Sequence, residues 1–499
     1  MDEILLGSSN SKFCARCRPL STSYQRIKRR QPAPRPVPRP RYAAKPSWNA
    51  ANWGSQSPMQ IEFSVRLIAI SGLRAVSRFA RAALLAVQLL GVGAPIVYAQ
   101  QPLPPTETPP LTAAPAPAPA APAPALTAAP APAPPPIVSF PQAVSNAANT
   151  VLKNAANIAG SAQQLPIVID PLVDGVTGAQ SRATANIQTQ ITSLVRESYP
   201  QFVVKDFSPA SLGAQPYVLI GTFTPVNNEN KTAGTREAYR FCLVMADLKS
   251  GKIVAKGVAR AQLNDVDATP LPAFAESPVW SEDAAVQSYI STCQASKVGD
   301  PINKTYLDGI ITAATVAEAI TAYDAGRYAH ALQLYKDAAQ TPAGDQLRIY
   351  NGIYLSSFKL HQRDLPQKFD RLLDYGYRKN RLALKILFRP STASFDYQEE
   401  FSSQYRFWLS QIARKQQQAA SCLELVGHTS TTGAAILNDR LSELWAQRVK
   451  NVLDAYSPEI RGKTSARGVG SSETMVGTGR DDQSDALDRR VEFKLKPSC

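Results

Sequence analysis

The sequence predicts a multidomain chain of mixed α+β and α/β class. An α/β domain is followed by a short helical repeat-like region and a C-terminal domain of order βαβαββ, all behind a long N-terminal part without a core. Three observations carry this reading. Residues 102–136 are almost pure Pro and Ala, and proline fixes φ and removes amide donors. Beyond them the apolar spacing switches repeatedly between a period of two and one near 3.6. Between the two sheet-like regions, Ala331, Tyr335 and Ala338 recur at i, i+4 and i+7. A chain of 499 residues is long enough for two or three domains with cores.

Charge is concentrated at one end. The formal net charge is +15, but residues 1–99 hold 15 of the 54 Lys and Arg and only 3 of the 39 Asp and Glu. The remaining 39 basic and 36 acidic residues nearly balance. A nucleic-acid-binding domain keeps its basic face on the folded part, so this distribution argues against a nucleic-acid partner.

Residues 1–58, with "RIKRRQPAPRPVPRPR", have no apolar periodicity and read as a disordered basic head. Cys14 and Cys17 form a CxxC with no second ligand pair, too little for a metal site. Residues 59–99 read as a signal peptide. Arg74, Arg78 and Arg81 precede the apolar run Ala82 to Val97, and Val97-Tyr98-Ala99 has small residues at its first and last places. Met59 would place this signal at an N-terminus, so residues 1–58 are expected to be an over-called start. The expected location is therefore the periplasm, in association with the cell wall or outer membrane. An inner-membrane anchor through residues 82–98 is the alternative, although the run is shorter than the roughly 20 apolar residues of a span. Residues 100–139 form the Pro/Ala-rich linker, an extended spacer of about 3.1 Å per residue, and residues 140–164 form a helix.

The α/β domain is expected over 165–300. "PIVID" is a strand, "ANIQTQITSLVRESY" a helix, and "FVVKDF" and "YVLIGTFTPV" are strands. "YRFCLVMADLKSGKIVAKGVARAQL" is a hairpin turning at Lys249–Lys252. No Gly-rich loop opens the helix, so no phosphate site is expected. "YVLIGTF" followed by "LVMADLKSGKIVAKG" resembles the small domain of curli-channel and penicillin-binding-protein-activator lipoproteins, which implies an interaction module.

Residues 301–380 are expected to be helical. "VAEAITAYDAGRYAHALQLYKDAAQTPAG" resembles a tetratricopeptide repeat, broken at Gly326 and closed at Pro342. A second copy follows, with Asp364 as N-cap and Pro366 in the first turn. One or two repeats are too few for a free solenoid, so a bridge between domains is as good a reading as a peptide groove. His330 and His361 have no metal-spaced partner.

The C-terminal domain, 381–499, starts with the strand "LALKILF" and the helix "SSQYRFWLSQIARKQQ", whose Tyr405, Trp408, Leu409 and Ile412 share a face. "CLELVGH" is a strand. "NDRLSELWAQRVKNVLDAY" is a helix with Leu441, Leu444, Val449 and Val452 inward, and "RVEFKLK" is the last strand. "GHTSTTG", "NDRLSELWAQRV" and "DRRVEF" resemble the OmpA-like peptidoglycan-binding domain in order and spacing. The resemblance implies non-covalent binding of the diaminopimelate peptide of peptidoglycan. In that family an Asp after His-Thr holds the ammonium and an Arg after Leu-Ser holds the carboxylate. A zwitterion needs such an anion and cation side by side.

Here those positions are Ser430 and Trp445, and the family's Asn before the arginine pair is Asp488. Gly427, His428, Thr429, Gly433, Asn438, Leu441, Ser442, Arg489 and Arg490 match. Ser430 can accept or donate without charge, and Trp445 offers only an N–H or a ring face. Arg448, one turn on, is the expected substitute cation. The reading is a cell-envelope scaffold or anchor with an altered ligand site, whose partners are peptidoglycan and envelope proteins. The alternative is a periplasmic assembly factor whose domain no longer holds the wall.

No nucleophile, base and orienting group converge, so neither an enzyme nor a cofactor is expected. Asp481 and Asp482 lie in "GTGRDDQSD", expected to be a solvated loop. Beyond residue 99 four cysteines remain, an even number in an exported chain. The favoured pairs of the three pairings are Cys242–Cys293 and Cys422–Cys499. Processing is directly testable: the mature chain should begin at Gln100 by intact-mass analysis, and retention of residues 66–99 contradicts cleavage there.

Overall fold

The computed structural model describes residues 134–159, 164–386, 388, 392–395 and 403–499. The basic head, Cys14 and Cys17, the export signal with its alternative anchor, and nearly all of the Pro/Ala-rich linker lie outside the described residues. Among the described residues, no helix is long and apolar enough to cross a membrane.

Two sheets organise the chain. The first starts with β1 (Ile137–Val138) and helix α1 (Phe140–Ala159), then β2 (Leu165–Ile169), α2 (Arg182–Ser198) and β3 (Phe202–Lys205). A short helix α3 (Pro209–Leu212) leads to β4 (Tyr217–Val226), β5 (Ala238–Asp247) and β6 (Lys252–Gln262). The strand order is β1-β6-β5-β4-β2-β3. The edge strands run parallel to their neighbours, and β4-β5-β6 form an antiparallel meander.

Helix α2 starts where Ser181 and Thr184 satisfy each other's backbone amides in a capping box. Its Ile187, Ile191 and Val195, at i, i+4 and i+8, are buried. Helix α1 is not a leader to this domain but part of it. Its Ala143, Ala147, Val151 and Ala155 pack on the same face as α2. The approach is close: a Cβ on Gly257 in β6 would lie 2.4 Å from the Ala147 carbonyl oxygen, so only glycine fits there.

The other face of the first sheet is covered by α5 (Ala284–Gln294) and the start of α6 (Lys304–Asp324). The disulfide Cys242–Cys293 pins α5 to β5, with Cα atoms 6.0 Å apart. Helices α7 (Tyr328–Ala339), α8 (Leu347–Lys359) and α9 (Leu365–Arg378) then stack in succession on α6. Ala331, Tyr335 and Ala338 are buried, as their spacing predicts. Asp364 occupies the N-cap position of α9, but its side chain makes no cap bond. The position is the expected one, with Pro366 in the first turn, while the carboxylate takes Lys368. His330 and His361 are exposed.

The second sheet has the order β10-β9-β11-β8-β7. Its core elements are β8 (Arg381–Leu384), α10 (Tyr405–Gln418), β9 (Cys422–Gly427), α11 (Ala435–Tyr456), β10 (Thr464–Gly468) and β11 (Val491–Lys496), the predicted βαβαββ order. The disulfide Cys422–Cys499 ties the chain end to the start of β9, with Cα atoms 5.3 Å apart. Tyr405, Trp408, Leu409 and Ile412 are buried as expected. On α11, however, Leu444 is 45% exposed while Trp445 is buried. The inward stripe is Asn438, Ser442, Trp445, Ala446, Val449 and Leu453, rotated by about one position because the indole occupies the place assigned to Leu444.

One strand of this sheet comes from far upstream. After β6 the chain forms the short helix α4 (Pro272–Ala275) and then β7 (Val279–Trp280), which pairs antiparallel with β8. The Ser281 hydroxyl donates to the Arg381 carbonyl at 3.0 Å, and Asn351 Nδ2 of α8 donates to the Val279 carbonyl at 3.1 Å. Buried Asp283 ends this strap. One carboxylate oxygen accepts from the Ala285 and Val286 amides, capping α5, and the other accepts from the Leu347 amide at 2.7 Å. The second sheet thus cannot be cut out at residue 381 without losing its edge strand.

Asp283→Ala should lower the unfolding free energy of the full chain by about 2 kcal/mol or more, because a cap is lost and a buried amide is left unpaired. Asp283→Asn, which keeps one acceptor, should lose less. Urea denaturation measures both, and an unchanged midpoint for Asp283→Ala contradicts the keystone role.

Candidate functional site

The candidate site is the turn between β9 and α11. It begins at Gly427, where a Cβ would lie 2.0 Å from the Ser442 carbonyl oxygen. The bare backbone is what lets α11 lie across the end of β9. The His428 amide donates to the Arg490 carbonyl at 3.0 Å and the Thr429 amide to the Gly470 carbonyl at 2.9 Å. These bonds fasten the turn to both neighbouring strands.

From the helix side, Asn438 Nδ2 donates to the carbonyls of Ser430 and Thr432 at 3.3 and 3.0 Å. The Ser442 hydroxyl donates to the Asp439 carbonyl and accepts the Gly470 amide at 2.9 Å. Gly433 sits at φ +91° in the exposed arm of the turn. Leu441 is half-buried against the core. Asn438 and Ser442 therefore shape the turn from behind.

A buried charge network lies beneath it. Arg490 and Glu492 are both buried, and Arg490 Nη2 lies 2.7 Å from Glu492 Oε1. Arg381 adds two further bonds to the same carboxylate, at 3.1 and 2.9 Å. Burial alone would raise Glu492, but the Arg381 hydrogen bonds and the Arg490 charge hold it down at about 2. Asp488 is buried too and accepts three backbone amides, from Met475, Val476 and Gly477, at 2.6 to 2.8 Å. That carboxylate closes the loop before β11 and is a structural group.

His428 is fully buried, and neither ring nitrogen has a hydrogen-bond partner. Its nearest carboxylates, Glu492 and Glu473, stand at 3.8 and 4.0 Å. Burial, with the Arg490 charge beside it, pushes the imidazole down to about 3. The Thr429 hydroxyl is likewise buried and unpartnered.

Ser430 brings in Asp481, which the sequence did not connect to the turn. Its hydroxyl donates to Asp481 Oδ1 at 3.1 Å. Asp481 belongs to "GTGRDDQSD", whose Asp481, Asp482 and Gln483 are exposed as expected, but the loop also touches the turn. Thr432 Oγ1 donates to the Gly479 carbonyl at 3.3 Å, and Arg489 bridges Asp481 and Asp485 at 3.1 and 2.5 Å. Asp481 itself has φ +58°, an uncommon conformation for a residue with a Cβ. Arg480, next to it, donates to the carbonyls of Val266 and Leu263 at 2.6 Å each, tying this loop to the chain just after β6. A separation of 51 residues from Ser430 hid the pairing. The available signal was the run of acids just before "DRRVEF".

The cation position differs most from expectation. Trp445 is a core residue, stacked on Phe388 with ring centroids 4.6 Å apart and planes within 2°. Its indole N–H donates to the Thr392 carbonyl at 2.8 Å. Both features that the sequence left for a ligand, the N–H and a ring face, are already used. Arg448 is exposed, with its guanidinium 5.6 Å from the Phe395 ring centroid.

No family model and no curated protein matches the chain. Solved structures do. The periplasmic domain of Helicobacter pylori MotB is 18% identical over 23% of this chain and 74% of that one, with a TM-score of 0.20. The peptidoglycan-associated lipoprotein from Burkholderia pseudomallei is 21% identical over 22% of this chain and 88% of that one, also at 0.20. The cell wall anchor of the T6SS from Pseudomonas aeruginosa is 22% identical over 27% of this chain and 98% of that one, again at 0.20. Similarity at this level assigns no ligand to the present chain.

The neutral, buried His428 has a pH signature. In the unfolded chain it takes a proton below about 6.5, while the folded ring stays neutral down to about 3. Its depressed value therefore supports stability above pH 6.5 that is lost as pH falls. Compared with His428→Gln, the wild type should lose up to about 1.4 kcal/mol per pH unit between pH 6 and 4. Denaturant titrations at several pH values measure this, and a pH-independent difference contradicts it.

Proposed function

We propose that this protein is a cell-envelope anchor or scaffold that binds the peptide of peptidoglycan non-covalently through its C-terminal domain, at the periplasmic side of the wall or outer membrane. The observation that carries the reading is Asp481 Oδ1 at 3.1 Å from the Ser430 hydroxyl. It returns an anion to the turn whose own Asp is absent, with Asp481 still 44% exposed and open to an ammonium ion. Binding rather than catalysis is favoured, because a histidine held neutral to about 3 is a poor base at neutral pH.

A second reading has its own support. Trp445 fills the cation position, and Ile436 and Leu437 at the start of α11 are 77% and 65% exposed beside the turn. An apolar lip of this kind suits a protein partner, and the domain would then serve envelope assembly without holding the wall.

Sedimentation of the full chain with purified sacculi separates the two. On the first reading the wild type co-sediments, free diaminopimelate competes, and Asp481→Asn cuts the affinity by about tenfold, the loss expected for one charge-assisted contact. Trp445→Arg should not improve binding. It should destabilise the fold by several kcal/mol, because it breaks the Phe388 stack and buries a charge. Wild type that stays in the supernatant supports the assembly reading instead, and Asp481→Asn that sediments as well as wild type removes Asp481 from the wall contact.

A further inference from the structure

Asp170, the residue that follows β2, is a buried carboxylate with little to hold it. Its amide donates to the Leu219 carbonyl at 3.0 Å, and its Oδ2 accepts the Tyr306 hydroxyl at 2.7 Å. Among the described residues Oδ1 accepts no hydrogen bond. Asp283, equally buried, accepts three amides. A carboxylate at such depth needs several donors or a counter-charge to stay ionised.

The counter-charge is near but not in contact. Asp170 and Arg348 of α8 line one small pocket of about 10 Å³, room for about one water molecule. The Arg348 charge acts on Asp170 and on Tyr289 and Tyr306 beside it. Its Nε donates to the neutral Gln346 side chain at 2.7 Å. Among the described residues no carboxylate forms an ion pair with it, and its two Nη groups make no hydrogen bond.

Three helices thus each present one group to Asp170: Tyr289 from α5, Tyr306 from α6 and Arg348 from α8. Gln180 adds a neutral amide from the chain before α2. Among the described residues these are the titratable and charged groups that face it. Burial keeps both tyrosines protonated far above neutrality, so Asp170 is the member of the set that changes charge. Burial lifts it from 3.8 to about 7, against the opposing pull of the Tyr306 bond and the Arg348 charge.

We propose that Asp170 and Arg348 form a pH-sensitive latch between the first sheet and the helical region. With Asp170 protonated, Arg348 rests on Gln346, as observed. With Asp170 ionised, the guanidinium turns across the small pocket and pairs with the carboxylate, whose two oxygens its planar donors match. The pair draws the start of α8 onto the end of β2. Arg348 also lines the cavity of about 420 Å³ beside the strap α4–β7, so the latch changes that wall as pH changes.

Crystal structures of the full chain well below and well above pH 7 read the arginine directly. The expected result is Arg348 on Gln346 in acid and within ion-pair distance of Asp170 in alkali. In Asp170→Asn it should stay on Gln346 at both pH values. Urea titrations supply the thermodynamic arm. Folded Asp170 releases its proton at about 7 and the unfolded residue at 3.8. Its contribution to stability is therefore complete below 3.8 and is lost as pH rises to about 7, opposite in sign to that of His428. Asp170→Asn stays neutral and keeps an acceptor for Tyr306. Relative to it, the unfolding constant of wild type should rise by up to about tenfold per pH unit in that window. Arg348→Gln removes the counter-charge and should extend the loss to higher pH. An arginine in the same place at both pH values overturns the proposal. So does a wild type whose stability relative to Asp170→Asn does not change with pH, or an Arg348→Gln variant that loses stability over the same window as wild type.

Discussion

The carboxylate of Asp283 holds together parts of the chain that sequence order keeps apart. One oxygen starts α5 on the first sheet, and the other takes the Leu347 amide that starts α8. Immediately before it, the two-residue strand β7 completes the second sheet against β8. A buried acid saturated by backbone amides exchanges solvation for fixed donors and is expensive to disturb. Because the strap is anchored at both ends, the helical region cannot rotate freely against either sheet. One apolar cluster runs from α6 through α9 into the second sheet, so these helices pack as filling between sheets. The 420 Å³ cavity sits against that strap and depends on it for its shape.

The C-terminal turn shows how a backbone scaffold can persist while the side chains that the resemblance implies are replaced. Gly427, Asn438 and Ser442 form the turn through backbone contacts and need no ligand to do so. The charge pair implied by the resemblance needs two particular side chains, and both are replaced. A carboxylate from a different segment, Asp481, stands beside Ser430. The cation does not return in place, because an indole stacked on Phe388 is a packing solution incompatible with a solvated guanidinium. Arg490, which reads as a ligand contact in sequence, is instead committed to Glu492 under the turn.

Much of the fold was legible because apolar periodicity reports burial directly. The βαβαββ order, the hairpin at Lys249–Lys252 and the small-residue seam of α7 all follow from spacing. What was not legible has physical causes. Val279–Trp280 is too short to show a period, so its place in the second sheet could not be read. The inward face of α11 was misjudged at Leu444, since Leu and Trp at adjacent positions compete for one site and only the partner Phe388 decides. Asp481 does lie in an exposed acidic loop, but nothing local to "GTGRDDQSD" reveals that it meets Ser430. The two disulfides were accessible, since an even cysteine count and one pair per sheet domain leave a simple solution.

Recognition of an ammonium group at this turn requires the anion that Asp481 would supply. The most direct measurement is a crystal structure of the full chain with a diaminopimelate-containing muropeptide. The expected result is the free ammonium of diaminopimelate within hydrogen-bond distance of Asp481 and Ser430, with Trp445 still stacked on Phe388. Peptide bound elsewhere, or an Asp481 that stays paired with Arg489 while the ammonium contacts no carboxylate, would contradict it.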